Sequence, residues 1–348
     1  MVDAVEYKFK VEWYDELAGR PRPYVLTYFE NPGSAPNEVA IFDLTKKRVF
    51  LKRGPYDDVS LSDLFQGAQV TVYARQFKVT AYADEKTRAA FTSDRGLVTA
   101  IVPASYYRDF GRVLTIAQEA GFSLTKLKTV GEPGSYGSVA MAIEFVGPTG
   151  GARTDEDLRE ALFRGAPEEC CRAAEVRASD AETNATLFNG PSSTATFDNC
   201  SLLLIKPHAV RAGHTGPLVS ALIDANFEVS AMQLFTLSRS EVENFTEVYK
   251  GVINASEYSN MTLELSSGPC VAIEVRAESC VRELRELCGP HDVEVAKALR
   301  PNTLRARFGI DKVQNAVHCT DLPEDGLLEC QYFFDIMVAQ VASDAIHK

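Results

Sequence analysis

Short apolar runs separated by turn-forming residues fill the first 90 positions of the chain. Aromatic and aliphatic residues dominate five such runs: Tyr24–Phe29, Val39–Phe42, Arg48–Lys52, Gln69–Ala74 and Phe77–Tyr82. Runs of this length and composition, bounded by Gly, Pro and Asn, are typical of β-strands. Leu61 to Phe65 has the character of a short helical turn. The pattern predicts a small β-rich domain over residues 1–90.

From about residue 95 the pattern changes to strands separated by helices, and it repeats. Ile101-Val102-Pro103 precedes a run in helical rhythm, and the same order recurs at Ile205-Lys206-Pro207, about 104 residues later. Val139–Ile143 is similarly matched by Cys270–Ile273. Self-similarity at a fixed distance indicates a duplicated structural unit. We expect one copy over residues 95–182, a Ser/Thr/Asn/Gly-rich linker at 183–197, and a second copy over 198–340.

The first copy is the shorter of the two. Only a Gly/Pro-rich loop, Gly131–Gly137, separates its second and third strands, whereas the second copy places the mostly helical segment Ser238–Ser267 there. A second shortening follows at Val146–Gly151. The first copy is therefore predicted to be a truncated version of the second.

Composition narrows the possible function classes. The 348 residues are 45% hydrophobic, which suits a globular protein of two or three domains. We find neither an apolar run near the roughly 18 residues of a membrane span nor a secretory leader, and so expect an intracellular protein. A net charge of -12 disfavours nucleic-acid binding by the whole chain. The eight cysteines contain no C-x-x-C, which favours reduced, mostly buried thiols.

Candidate chemistry is concentrated near the C-terminus. The run Gln314-Asn315-Ala316-Val317-His318-Cys319-Thr320-Asp321, followed by Glu329, resembles the active-site signature of nucleoside diphosphate kinases. An Ile-Lys-Pro and a Pro-x-Thr-Leu-Arg precede it in the family's order. The resemblance implies an α+β, ferredoxin-like fold for each copy and phosphoryl transfer through a histidine. Magnesium would arrive with the nucleotide, and no metal ligand is expected from the protein.

The same resemblance assigns three residues to the nucleophile and its support. His318 matches the phosphate-carrying histidine, Glu329 the carboxylate that holds the imidazole, and Thr320 a hydroxyl on that carboxylate. The assignment agrees with the chemistry, because a neutral imidazole nucleophile needs an acceptor on its other ring nitrogen.

Four further residues match the family's nucleotide contacts. Lys206, Arg285 and Arg305 match its phosphate-binding cations, and Asn315 matches the residue that contacts the ribose hydroxyl. Charge-assisted hydrogen bonds contribute about 1.5–3 kcal/mol each. Three cations would supply much of the affinity for a nucleotide tail.

Several positions depart from the family pattern. Cys319 replaces a glycine, His291 a threonine near the phosphates, and His208 the aspartate after Lys-Pro. The family's tyrosine position falls on Thr246, and its base-stacking phenylalanine has no clear counterpart, Tyr258 being a candidate substitute. These departures predict a weak or residual kinase.

The first copy lacks the chemistry altogether. All five histidines of the chain lie after residue 207, and the alignment puts Glu175 roughly at the nucleophile and Val102 at the lysine. Without a histidine, a phosphohistidine cannot form. We expect this copy to serve as a packing or docking surface.

The N-terminal domain resembles a different family. Trp13-Tyr14-Asp15, Val49–Arg53 and Val70–Phe77 resemble the DM-ten domain, a PH-like module of axonemal proteins. The resemblance implies a multidomain chain: a β-rich PH-like domain followed by two α+β ferredoxin-like domains, the first truncated. This domain order resembles an axonemal member of the nucleoside diphosphate kinase family.

The leading hypothesis is therefore structural. The resemblance implies a component of ciliary or flagellar doublet microtubules, bound to tubulin and other microtubule inner proteins in the axoneme, a part of the cytoskeleton within the cytoplasm. The alternative is a weakly active nucleoside diphosphate kinase that uses His318, and a third is a nucleotide sensor without transfer. Whether the copies pair within the chain or between chains stays open.

Overall fold

The fold is known from a computed structural model, which describes residues 4–15, 18–31, 35–64, 68–92, 96–131, 139–147 and 154–346. Most of the loop expected at 131–137 and of the shortening expected at 146–151 lies outside these residues. The described strands form two sheets, one of six strands and one of eight.

The six-stranded sheet comprises the N-terminal strands. They are β1 (Val5–Asp15), β2 (Arg20–Glu30), β3 (Glu38–Asp43), β4 (Arg48–Pro55), β5 (Gln69–Val72) and β6 (Arg75–Tyr82). The order is β4-β3-β2-β1-β6-β5, all antiparallel, and helix α1 (Glu85–Thr92) packs on β1 and β6. The helical turn predicted after residue 60 is a 3₁₀ turn, Leu61–Asp63. Phe9, Tyr24 and Phe77 lie fully buried in the core of this sheet.

The eight-stranded sheet joins the two copies. Its strands are β7 (Leu97–Val102), β8 (Ser123–Val130), β9 (Ala140–Val146), β10 (Glu175–Ala178), β11 (Cys200–Ile205), β12 (Glu228–Thr236), β13 (Pro269–Arg276) and β14 (Val317–Cys319). The order is β10-β7-β9-β8-β12-β13-β11-β14. Read from the two edges inward, both halves show the same sequence of strands. The copies therefore pair within the chain, about a pseudo-twofold axis between β8 and β12.

Helices cover this sheet on both faces. They are α2 (Phe110–Glu119), α3 (Asp155–Gly165), α4 (Glu168–Ala173), α5 (Ala181–Phe188), α6 (Pro207–Arg211), α7 (Thr215–Asp224), α8 (Arg239–Phe245), α9 (Ala255–Leu265), α10 (Cys280–Cys288), α11 (Val293–Leu299), α12 (Leu304–Phe308), α13 (Gly326–Gln331) and α14 (Val338–Ile346), with a π-helical turn at Tyr332–Met337. The second copy has the order β11-α7-β12-β13-α10-β14, a ferredoxin-like α+β fold. No helix in the described part of the chain is long and apolar enough to cross a bilayer.

Two glycines allow the copies to approach closely. Helices α2 and α7 cross at Gly111 and Gly216, where a Cβ added to either residue would lie 2.6 Å from the backbone oxygen of the other. Lys128 pairs with Gln233 across β8 and β12, and Oγ1 of Thr129 accepts a hydrogen bond from the Met232 amide (2.9 Å). The seam between the copies is thus a packed interior.

The segment expected as a linker, residues 183–197, is ordered and packed. Helix α5 extends to Phe188, and the residues beyond it pack against the sheet. Asn184 hydrogen-bonds the buried carboxylate of Glu144, and Oγ1 of Thr194 donates to the Ser230 carbonyl (2.6 Å). The polar composition that suggested a linker instead serves buried polar groups, which must find partners when removed from water.

The N-terminal sheet is attached to the second copy. Nε2 of Gln76 donates hydrogen bonds to the carbonyls of Leu237 (2.9 Å) and Ser266 (3.0 Å). Oγ1 of Thr71 donates to the same Ser266 carbonyl (2.9 Å). These contacts lie at the two ends of the segment that carries α8 and α9.

Candidate nucleotide site

A cavity of about 380 Å³ opens between the α8–α9 segment and the ends of α10, α12 and β14. Five of the seven predicted site residues line it: Lys206, Arg285, Arg305, Asn315 and His318. The other two, Thr320 and Glu329, contact each other, and Glu329 contacts His318. The tertiary fold thus brings all seven residues into one site.

His318 is held by a carboxylate on helix α13. It lies in β14, paired with Leu204 of β11, and its Nε2 is 3.0 Å from Oε2 of Glu329. Oγ1 of Thr320 accepts a hydrogen bond from the Leu202 amide (3.0 Å) and donates to the same carboxylate oxygen (2.9 Å). A carboxylate on Nε2 places the proton there and leaves Nδ1 with the lone pair of a nucleophile.

The environment of His318 acts on its pKa in two directions. Burial lowers the pKa, while the charge and hydrogen bond of Glu329 raise it, and the net pKa lies above the usual 6.5. The imidazole is therefore a stronger base than a free histidine. Phe245 packs edge-on against the ring, with centroids 5.3 Å apart.

Two of the predicted cations are almost fully buried. Nζ of Lys206 donates to the Val313 carbonyl (2.8 Å), and burial, partly offset by Glu264, lowers its pKa to about 8. Arg305 donates to the carbonyls of Gly289 (2.7 Å) and Val317 (3.2 Å). Backbone carbonyls thus fix both cations at the cavity wall.

The third cation, Arg285, forms an ion pair with Asp321. Tyr249 donates its hydroxyl to the same carboxylate (2.6 Å), and its ring centroid lies 6.4 Å from that of His318. Burial works against ionisation of Asp321, but these two hydrogen bonds lower its pKa below the usual value. Sequence reasoning missed Tyr249. The signal available in the sequence was an aromatic residue three positions after Thr246, where the family's tyrosine was expected.

Asn315 is bound to a residue that departs from the family pattern. Its Nδ2 lies 3.0 Å from the His291 carbonyl and 3.2 Å from His291 Nδ1, while its buried Oδ1 has no hydrogen-bond partner in the described structure. Burial, followed by Arg305, lowers the pKa of His291 to about 4. The neutral ring nitrogen accepts from Asn315, which leaves Oδ1 available for a ligand donor.

His208 stands where the family has an aspartate, and each of its ring nitrogens makes a buried hydrogen bond. Its Nδ1 lies 2.6 Å from Oε1 of Glu264, and its Nε2 accepts from the Ala316 amide (3.1 Å). Ala316 adopts a left-handed backbone conformation, with φ of 70°, one residue before β14. For a residue with a Cβ this conformation is unfavourable and persists only where its surroundings hold it.

The aromatic stack missing from the sequence pattern is not supplied by Tyr258. That residue does not line the cavity, and its hydroxyl contacts Thr246 (3.4 Å). The suggestion that Tyr258 takes the place of the family's base-stacking phenylalanine is therefore wrong. The described apolar lining is formed instead by Phe245, Ile253 and other side chains of the α8–α9 segment, together with Pro290, Val313 and Val317.

The equivalent position of the first copy carries a carboxylate. Ile101 pairs with Glu175 as Leu204 pairs with His318, and Val102 and Ile205 both face the helix-covered core. These pairings put Glu175 at the nucleophile position, as predicted. They also move the lysine equivalent from Val102 to Pro103, because the offset in this strand is 103 residues (205 minus 102).

The geometry of the site agrees with the known proteins to which this chain is similar. Residues 199–337 match the family model described as nucleoside diphosphate kinase. The nucleoside diphosphate kinase homolog 7 of Mus musculus is 38% identical, over 95% of this chain and 93% of its own length. This chain belongs to the nucleoside diphosphate kinase homolog 7 family.

Two further relatives show how the similarity is distributed. The homolog 7 of Rattus norvegicus is 37% identical over the same shares of both chains. The nucleoside diphosphate kinase of Aquifex aeolicus (strain VF5) is 31% identical over 38% of this chain and 92% of its own length. The similarity to the homolog 7 proteins thus covers nearly the whole chain, whereas the similarity to the Aquifex aeolicus kinase covers only part of it.

Proposed function

We propose that the second copy is a phosphoryl transferase that makes nucleoside triphosphates through a phosphate carried on His318. The observation that carries this proposal is the position of His318. Its ring is supported on one nitrogen by Glu329 and stands in a cavity lined by the three predicted cations and by Lys312. Phosphoryl transfer needs little else from a protein than a positioned nucleophile and cations for the phosphate oxygens.

The chemical step follows from the tautomer. Nδ1 of His318 attacks the γ-phosphorus of ATP, the bond from that phosphorus to the β,γ-bridging oxygen breaks, and ADP leaves. The ring then carries a positive charge, which the Glu329 carboxylate at Nε2 stabilises. A nucleoside diphosphate takes the phosphate in the reverse step, which regenerates the neutral histidine.

Magnesium belongs to the substrate in this proposal. The carboxylates in the described cavity lining are Glu257, paired with Lys312 (2.6 Å), and Asp321, paired with Arg285. Both carboxylates are already engaged by cations. An Mg²⁺ ion would therefore be held by the nucleotide phosphates, as this hard cation prefers.

The expected activity is weak, because the family's aromatic stack on the base has no equivalent. Stacking of a base on an aromatic ring contributes about 1–3 kcal/mol in single-strand binders. By that analogy the loss lowers nucleotide affinity about tenfold to hundredfold. Ile253 and other apolar side chains line the cavity, and in this proposal they replace part of the stack.

Phosphohistidine formation tests the proposal directly. The full chain is incubated with γ-labelled ATP, and we expect acid-labile, base-stable label that is chased by a nucleoside diphosphate. His318→Gln should abolish the label. His214→Gln is the matched control, because His214 packs on Phe308 away from the cavity lining. A lack of label on the wild type, or equal label on His318→Gln, would refute the proposal.

We propose in addition a structural role as a component of axonemal doublet microtubules. The first copy supports this role, since it keeps a buried core although its nucleophile position is occupied by Glu175. In this proposal residues 1–90 are a PH-like DM-ten domain and 95–182 a degenerate kinase domain. The partners are tubulin and other inner proteins of the cilium or flagellum. The candidate docking surfaces are strand β4, a sheet edge with Arg48, Lys52 and Arg53, and the first copy.

Cilia that carry His318→Gln distinguish the two roles. Normal ultrastructure and motility would support the structural role alone. Docked protein with failed motility would show that catalysis matters. Failure of the wild-type chain to co-purify with doublet microtubules would exclude the structural role.

A further inference from the structure

A pair of thiols lies beside the candidate nucleotide site and has no part in phosphoryl transfer. Cys319 follows His318 in β14 and lines the same cavity, and Cys288 is the last residue of α10. The thiols of Cys288 and Cys319 are neighbours in one buried cluster, and Nη2 of Arg305 lies 3.6 Å from the Cys319 sulfur. Cys319 also stands where the family signature has a glycine.

The surroundings of the two sulfurs differ, and this difference suits them to different roles. The neighbouring Cys288 thiol, aided by Arg305 and His318, lowers the pKa of Cys319 in spite of its burial. Burial raises the pKa of Cys288, which keeps its proton. A low-pKa thiolate that a small oxidant can reach, next to a second thiol, is the arrangement found in oxidation-sensitive cysteines.

We propose that Cys319 and Cys288 form a peroxide-sensitive dithiol, in which Cys319 is the residue attacked first and Cys288 resolves it to a disulfide. The co-reactant is a hydroperoxide, small enough to reach Cys319 through the cavity. The bond would join β14, which carries His318, to α10, which carries Arg285. The proposal does not depend on kinase activity.

The two steps balance as follows. The Cys319 thiolate attacks one oxygen of hydrogen peroxide, the O–O bond breaks, and the products are a sulfenic acid and hydroxide, which takes up a proton to give water. Cys288 then attacks the sulfenic sulfur, the S–O bond breaks, and a second water leaves with the thiol proton. Two thiols are oxidised by two electrons, and one peroxide is reduced to two waters. A small dithiol reverses the change.

The chain offers a matched control pair. Cys200 and Cys330 are also neighbouring buried thiols, with sulfurs within 4.8 Å of each other, but the group beside them is the carboxylate of Glu274 instead of a guanidinium. The neighbouring Cys200 thiol and burial raise the pKa of Cys330. Proximity without a stabilised thiolate should leave this pair slow to oxidise.

The experiment maps disulfides in the full chain treated with one equivalent of hydrogen peroxide. Trypsin with Asp-N releases Cys288 in peptide 286–291 and Cys319 in 313–320, apart from Cys330 in 325–334. We expect the 286–291 to 313–320 disulfide to form at least tenfold faster than the Cys200–Cys330 disulfide, and dithiothreitol to remove it.

A trapping experiment identifies the residue attacked first. In Cys288→Ser the sulfenic acid of Cys319 cannot be resolved, so dimedone should label peptide 313–320 more strongly than in the wild type. Two results would overturn the proposal: a Cys200–Cys330 disulfide that forms as fast as the other, or an absence of both the disulfide in the wild type and the dimedone adduct in Cys288→Ser.

Discussion

Nδ1 of His208 lies 2.6 Å from Oε1 of Glu264, and the other nitrogen of the same ring accepts a hydrogen bond from the Ala316 amide. Because Nε2 accepts, the proton is on Nδ1, and the ring is neutral beside an ionised carboxylate. The pair thus connects helix α9 to the left-handed residue that precedes β14. In this chain, the turn that positions His318 is held by a histidine and a glutamate together.

Removal of the Glu264 carboxylate should destabilise the protein. Glu264→Ala leaves the buried Nδ1–H of His208 without its acceptor, and we expect the free energy of unfolding to fall by about 1.5–3 kcal/mol, as for a hydrogen bond to a charged group. Glu264→Gln keeps an acceptor oxygen and should cost less. Urea titration of both variants at neutral pH measures the difference, and equal losses would contradict it.

Glu264 should also make stability depend on acid. Although burial acts in the opposite direction, the hydrogen bonds that Glu264 accepts from the His208 ring and backbone amide lower its pKa from 4.5. Its contribution is therefore present above the unfolded pKa of 4.5 and is lost as the pH falls through the lower folded pKa. Urea midpoints measured at decreasing pH should fall less steeply for Glu264→Gln than for the wild type. Parallel curves would argue against this assignment.

Phosphorylation of His318 should be slower in acid. The raised pKa, above 6.5, means that the ring is protonated and non-nucleophilic at lower pH, so the single-turnover rate of labelling should rise with pH through that value. In Glu329→Gln the opposing charge is lost while burial remains, and the inflection should move to lower pH. An inflection that stays in place would exclude Glu329 as its cause.

Nucleotide affinity should weaken in mild base. Lys206, with a pKa of about 8, loses its charge as the pH rises through that value, and with it part of its attraction for phosphate. Lys206→Arg retains a charge throughout, since arginine stays protonated in proteins. Calorimetric titration with ADP should therefore show the falling affinity in the wild type and its absence in Lys206→Arg.

The seam between the copies should not accept a side chain at Gly111. A Cβ there would lie 2.5 Å from the Ser220 amide nitrogen, and we expect Gly111→Val to cost at least about 1–3 kcal/mol through overpacking. Gly54→Val is the control, because nothing lies within 4 Å of the corresponding Cβ in the edge strand β4. Thermal unfolding should distinguish the variants, and similar melting temperatures would refute the close packing of α2 on α7.

Local patterns predicted most elements but not how the elements meet. The strand at Tyr24–Phe29 and the repeat of strand β7 as β11 follow from periodicity and spacing, which neighbouring residues determine. The packing of the linker segment around Asn184 did not follow from such patterns. Serine, threonine and asparagine occur both in solvent-exposed loops and in hydrogen bonds with buried polar groups. For Asn184, the position of the buried Glu144 carboxylate decides between the two.

The amino-acid sequence alone determined the duplicated unit, the family of the second copy and the set of residues around His318, because these depend on residue types at characteristic spacings. Only the tertiary structure decided that both copies share one sheet, that Tyr249 stands by His318 although the family's tyrosine position falls on Thr246, and that Cys319 and Cys288 are neighbours. Such contacts join residues distant in the chain, and the packing of helices against strands sets their distances.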